Sequence, residues 1–218
     1  MRLGPIELLR DDPILFFLLA AALIGALTLH EFAHAAAATV QGDRLPRATG
    51  RLTVNPIRHL DPLGTLLIFL VGFGWAKPVQ FRPDALRSKR FGAALVALAG
   101  PLMNLLLAVV GVLVYGLLEG PFELEPLGPG RSAVTQFFVL FISINVILAV
   151  FNLIPLPPLD GSRLLTIFLP PSKQRIIFFL DQYGFIILLG LVFFAGPALL
   201  QPIIRTVLGW VLRAGGAI

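Results

Sequence analysis

The chain has 218 residues, 57% of them hydrophobic and 13% charged, with a mean hydropathy of +0.89. A water-soluble globule of this length needs more polar surface, so composition excludes that class and points to one integral membrane body, 1–218. The formal charge of +5 falls in short basic runs between apolar segments. That is the pattern of loops kept on the cytoplasmic side by the positive-inside rule, and no nucleic-acid partner is expected. With no cysteine there can be no disulfide framework and no thiolate metal site.

The leader "MRLGPIELLRDD" sets two arginines against three acids. It is a poor n-region, so the apolar run after it is read as retained rather than cleaved. Residues 13–40 then read as one helix, with Pro13 in its first turn and Gly42 just past its end. At about 1.5 Å per residue it is about 40 Å long, enough to cross a hydrocarbon core of about 30 Å. Residues 41–60 are polar and basic, and "GRLTVNP" alternates like a short strand, which predicts a membrane-associated β-hairpin. The apolar segment 63–75 is short, interrupted by Gly72 and Gly74, and followed by basic residues at 77–90.

Three more spans are expected, at 91–118, 133–154 and 176–195, with a final segment at 197–213 that either spans or lies in the interface. The loop 119–131 is acidic, whereas those at 41–60, 77–90 and 161–175 are basic. Charge therefore puts the acidic loop outside and the basic loops in the cytoplasm. With both of its flanks inside, 63–75 cannot cross and is expected to be re-entrant. The predicted fold is all-α and polytopic, with about five to six transmembrane helices. Its core covers about 13–165, followed by C-terminal helices at about 176–213.

Within the first span lies "HEFAH". His30 and His34 are four apart and share a helix face, so they can bind one metal ion together. Glu31, on the adjoining face, is placed to take a proton from a water at that metal. Ionisable groups at membrane depth cost several kcal/mol each, which favours a functional reading over chance. Zinc needs a third protein ligand and an open position. The candidates are His59, Asp181 and Asp160. Depth favours Asp160: His30 to His34 lie roughly 9 to 15 Å inside the cytoplasmic end of their helix. Asp160 follows a span running towards the same side, after prolines that break the helix. The competing role for Asp160 is an N-cap of the next helix.

"HEFAH", "AGPLMN" (99–104) and "FNLIPLPPLDG" (151–161), in this order, resemble the site-2 protease family of intramembrane zinc metalloproteases. "GRLTVNPIRHLDPLGT" and "GWAKPV" resemble stretches of its compact members, and the likeness runs from about 25 to 165. It implies one zinc ion held by His30, His34 and Asp160, with Glu31 as catalytic base and Asn152 holding the substrate backbone. Asn104 is grouped with Asn152 as a substrate-binding candidate, its other readings being to orient a ligand or to bond between helices. The implied activity is regulated intramembrane proteolysis of single-span membrane proteins, in a prokaryotic cell membrane, with the site nearer the cytoplasmic face. The form is compact, without a PDZ or CBS segment, and "GWAKPVQFRP" departs from the family's more usual "GWAKPVPVNP". The alternatives are a membrane zinc protease of the prenyl-protein-processing type, a metal transporter, or a silent metal binder.

Overall fold

The computed structural model describes residues 5–71, 74–122, 130–168 and 174–217. Its elements are α1 (Leu8–Asp11), α2 (Pro13–Val40), α3 (Leu45–Ala48), α4 (Pro62–Val71), α5 (Lys89–Glu119), α6 (Ala133–Asn152), α7 (Gly161–Phe168), α8 (Gln174–Gly190) and α9 (Gly196–Ala214). Helix boundaries follow local chemistry. Asp12 caps α2 by accepting from the Leu15 N–H at 3.0 Å, and Pro13 fills the first position, where no N–H is needed. Ser132 caps α6 in the same way through the Thr135 N–H.

Among the described residues, four helical stretches are long and apolar enough to cross a membrane: Pro13–Val40, Lys89–Glu119, Ala133–Asn152 and Arg175–Phe194. Helix α9 is not among them, because Gln201, Arg205 and Arg213 interrupt its apolar run. It joins α8 through a π-helical turn, Leu191–Ala195. It then packs back on α5 and α6, placing Val211 and Leu212 beside Val112, Ile142 and Val146.

Helices α2, α5 and α6 pack on one another and form the centre of the molecule. The buried faces of α2 and α5 are rich in small residues: Ala22, Ala26, Ala33, Ala35 and Ala38 on α2, and Gly92, Ala93, Ala94, Ala97, Gly100 and Ala108 on α5. In lipid there is no hydrophobic force between helices, so close backbone approach is what holds them. Many large apolar residues point outward instead, as with Phe17, Leu102, Leu106, Leu117 and Phe178.

The expected β-hairpin is not present: there is no strand among the described residues. Residues 51–55 are irregular because side chains take up the backbone groups that a ladder would use. The Arg51 guanidinium donates to the carbonyls of Arg58, Lys77 and Pro78, and the His59 Nε2 lies 2.7 Å from the Thr53 carbonyl. A lone antiparallel bridge pairs Leu60 with Ala76, beside a Lys77 N–H to His59 carbonyl bond of 2.8 Å. The chain therefore leaves at Leu60 and returns at Ala76. Between them α4, at about 15 Å, is too short to cross a core of about 30 Å. Gly64 lets the returning chain at Trp75 touch its backbone, where a Cβ would collide. Gly72, 123–129 of the acidic loop and 169–173 of the last basic loop lie outside the described residues.

Candidate metal centre

The "HEFAH" spacing does on α2 what a 3.6-residue period requires. His30 and His34 stack on one face with ring centroids 4.6 Å apart, both buried. Their Nε2 atoms are 3.0 Å apart. Across from them, the loop after α6 turns through Leu153–Leu159 and contains a cis Pro157–Pro158 peptide. It ends at Asp160, whose Oδ2 lies 3.1 Å from His30 Nε2 and 3.2 Å from His34 Nε2. Asp160 starts α7 only through its carbonyl, which accepts from the Arg163 N–H at 2.9 Å. Its carboxylate turns away to the histidines instead of capping the helix.

His30, His34 and Asp160 are the one group of three or more potential metal ligands among the described residues. Ligands at about 2.05 Å around a tetrahedral ion stand about 3.3 Å apart, so the observed triangle suits a zinc-sized cation. Two nitrogens and one oxygen also form a donor set that zinc accepts, with a fourth position left open. The other candidates are elsewhere. His59 is fully buried against Thr53, and Asp181 is exposed on α8.

The histidines are held from behind by α5. The Val96 carbonyl lies 2.7 Å from His34 Nδ1. A carbonyl can only accept, so Nδ1 carries a proton and Nε2 is the nitrogen turned to the site. Asn104 Oδ1 lies 2.5 Å from His30 Nδ1. Asn104 is fully buried and touches His30 rather than either cavity, so it stands behind that ring. Reasoning from sequence did not anticipate Gly100. A Cβ there would lie 2.6 Å from His30 Nε2 and closer still to His34 Nε2. Its signal was present in "AGPLMN" as a glycine inside a helical pattern without a stop.

Glu31 sits beside this triangle, 8% exposed, and its Oε2 accepts the Val79 N–H at 3.1 Å. Val79 belongs to an extended segment that crosses the site. Arg51 ties that segment down at Lys77 and Pro78. Asp43 ties it at Arg82, accepting the Arg82 N–H at 2.6 Å and the Leu45 N–H at 3.0 Å. Burial would raise the Asp43 pKa, but these N–H groups and the Arg82 guanidinium outweigh it and hold the carboxyl below its ordinary range.

Two cavities meet at Glu31 and Asp160. One, of about 110 Å³, is lined also by His34, Val79, Ala97 and Arg163. The other, of about 440 Å³, is bounded by apolar side chains, among them Leu27, Trp75, Phe151 and Leu188, and it includes Asn152. Asn152 donates to the Leu148 carbonyl of its own helix at 3.0 Å. A carboxylate beside a metal-ligand triangle, open to a small polar cavity and a larger apolar one, has the parts for metal-assisted hydrolysis of an apolar substrate.

Known proteins bear on this arrangement. Residues 118–194 match the model of Peptidase family M50. The chain is 42% identical over 173 residues to "Putative zinc metalloprotease YwhC" of Bacillus subtilis, covering 79% of this chain and 78% of that one. It is 33% identical over 181 residues to "Putative zinc metalloprotease Rip2" of Mycolicibacterium smegmatis, covering 81% of this chain and 66% of that one. Against the protein of the same name from Mycobacterium tuberculosis strain H37Rv it is 33% identical over 194 residues, covering 84% and 69%. No solved structure gives a significant match.

Proposed function

The chain belongs to peptidase family M50, the site-2 protease family of membrane zinc metallopeptidases, and from that premise we propose that it cleaves peptide bonds within or beside the transmembrane helices of single-span membrane proteins. The observation that carries the reading is the convergence of His30 Nε2, His34 Nε2 and Asp160 Oδ2 within 3.2 Å of one another, beside Glu31 and between two cavities.

In this reading His30, His34 and Asp160 hold one zinc ion. When bound, the zinc supplies a Lewis acid that polarises the scissile carbonyl and acidifies a water. Glu31 takes the proton from the attacking water as the C–O bond forms, and later delivers it to the leaving amine as the C–N bond breaks. The larger cavity receives the unwound apolar substrate segment, and the Asn152 amide holds its backbone. Water arrives through the smaller cavity on the Arg163 side. In this reading 63–75 is re-entrant, the protein lies in a prokaryotic cell membrane, and its site is nearer the cytoplasmic face. Regulated intramembrane proteolysis is the corresponding process.

The prenyl-protein-processing type would need a later glutamate as third ligand. Asp160 fills that place here, while Glu119 ends α5, away from the histidines on α2. The test is zinc analysis of purified protein alongside cleavage of a panel of single-span substrates. One equivalent of zinc with cleavage inside a span is expected. Zinc-loaded protein that cleaves none of the panel, while moving metal across vesicles, would favour the transporter.

A further inference from the structure

A polar chain runs from α6 to the metal-facing histidine of α2, and it has a direction. Asn145 lies within α6, fully buried in a largely apolar span. Its Nδ2 lies 2.8 Å from the Phe141 carbonyl. That oxygen can only accept, so Asn145 must present its amide nitrogen there and its oxygen to the other side. The oxygen meets Asn104 Nδ2 at 2.8 Å. Asn104 Nδ2 also points at the Ala26 carbonyl, 3.5 Å away, which demands a donor as well. Asn104 is thereby turned so that its Oδ1 faces His30 Nδ1. An amide oxygen only accepts, so His30 must carry a proton on Nδ1, which leaves Nε2 as the nitrogen it can offer to a metal.

We propose that Asn145 is a positioning residue that acts through Asn104 to fix the His30 tautomer and orientation for metal binding. The proposal rests on the zinc reading above. His34 needs no such relay, because the Val96 carbonyl fixes its tautomer directly. His30 has no backbone carbonyl at Nδ1 among its described partners, and without Asn145 only the long 3.5 Å contact to the Ala26 carbonyl is left to orient its partner Asn104. Mid-membrane amides find few other partners, so the orientation is held by this network.

The experiment uses the full chain in detergent, with zinc affinity read by chelator competition and the histidine tautomers by ¹⁵N NMR of metal-free, histidine-labelled protein. Only three histidines are present, which makes assignment direct. Wild-type His30 is expected in the Nδ1–H form. Asn145→Leu should show mixed tautomers at His30 and about tenfold weaker zinc binding, the lower end of what loss of an outer-shell partner costs. Asn145→Asp keeps the acceptor for Asn104 and should restore affinity to within about threefold. Val146→Ala, a buried neighbour outside the relay, should lower thermal stability and leave zinc affinity unchanged. A wild-type His30 in the Nε2–H form overturns the proposal. So does an Asn145→Leu variant that holds zinc as tightly as wild type, or an Asn145→Asp variant as weak as Asn145→Leu. If Asn145→Leu fails to fold, the wild-type tautomer and Asn145→Asp decide. The tautomer is read without metal, so wild-type protein that binds no zinc sinks the metal reading alone and leaves the relay to its own result.

Discussion

Gly100→Ala adds a single methyl group against the two histidine rings, and its effect can be worked out from the structure. The new Cβ would stand 2.6 Å from His30 Nε2, where ordinary contact begins at 3.4 Å. The ring, or α5 itself, must therefore give by about 0.8 Å, against a tolerance of about 0.2 Å in metal–ligand distances. Neither ring can swing away freely, because Asn104 and Val96 hold them from the same helix that carries the methyl. Alanine improves helix propensity over glycine by about 0.5–1 kcal/mol, and overpacking costs about 1–3 kcal/mol. Metal-free stability should thus change modestly, while zinc affinity falls by about 100-fold or more. The assay pairs chelator competition with thermal unfolding in the presence and absence of zinc. Wild-type protein should gain stability with zinc, and Gly100→Ala should lose that gain. If the variant binds zinc with wild-type affinity, the ligand geometry described for α2 and α5 is wrong.

Asp160→Ala should lose zinc and keep its fold in detergent. Full zinc retention by metal analysis would move the third ligand elsewhere. Cysteines at Arg44 and Arg87, in a chain with no cysteine of its own, should be labelled from the same side of the membrane. The Arg87 N–H donates to the Gln41 carbonyl at 3.0 Å, so the two loops touch. Labelling from opposite sides would contradict the topology. Asp43 has a folded pKa below its unfolded value near 3.8, so its contribution to stability is present above that value. It is lost as pH falls through the lower folded value. Acid unfolding followed by tryptophan fluorescence should therefore shift in Asp43→Asn, which lacks that proton uptake, and an unchanged acid limb would refute the assignment.

Much of this was legible in the sequence, for identifiable reasons. The pair His30 and His34 follows from helical periodicity, and Asp160 from matched depth and the proline break. The long spans follow from hydropathy, and observed bounds such as Lys89–Glu119 lie close to the expected 91–118. The alternation at 51–55 misled because it lies in an irregular segment, with Val54 61% exposed and the backbone held by Arg51 and His59. Side-chain donors of that kind leave no periodic signature. Gly100 and Asn145 were harder still. A glycine in a helix and an asparagine in a span each have ordinary structural roles, and only the distances to His30, His34 and Asn104 single them out. The separation of Asn104 from Asn152, one behind a ligand and the other in a cavity, likewise needed the packing of α5 against α2.

The central claim is that Glu31 does chemistry at a zinc held by its neighbours, and Glu31→Gln tests it most directly. The substitution keeps the shape of the side chain and removes the base. Zinc content, measured on the same preparation, should stay near one equivalent, since Glu31 is outside the ligand triangle. Cleavage of a single-span substrate in detergent or proteoliposomes should fall by about 10²–10⁴-fold. A zinc-loaded Glu31→Gln protein that cleaves at the wild-type rate would contradict the account.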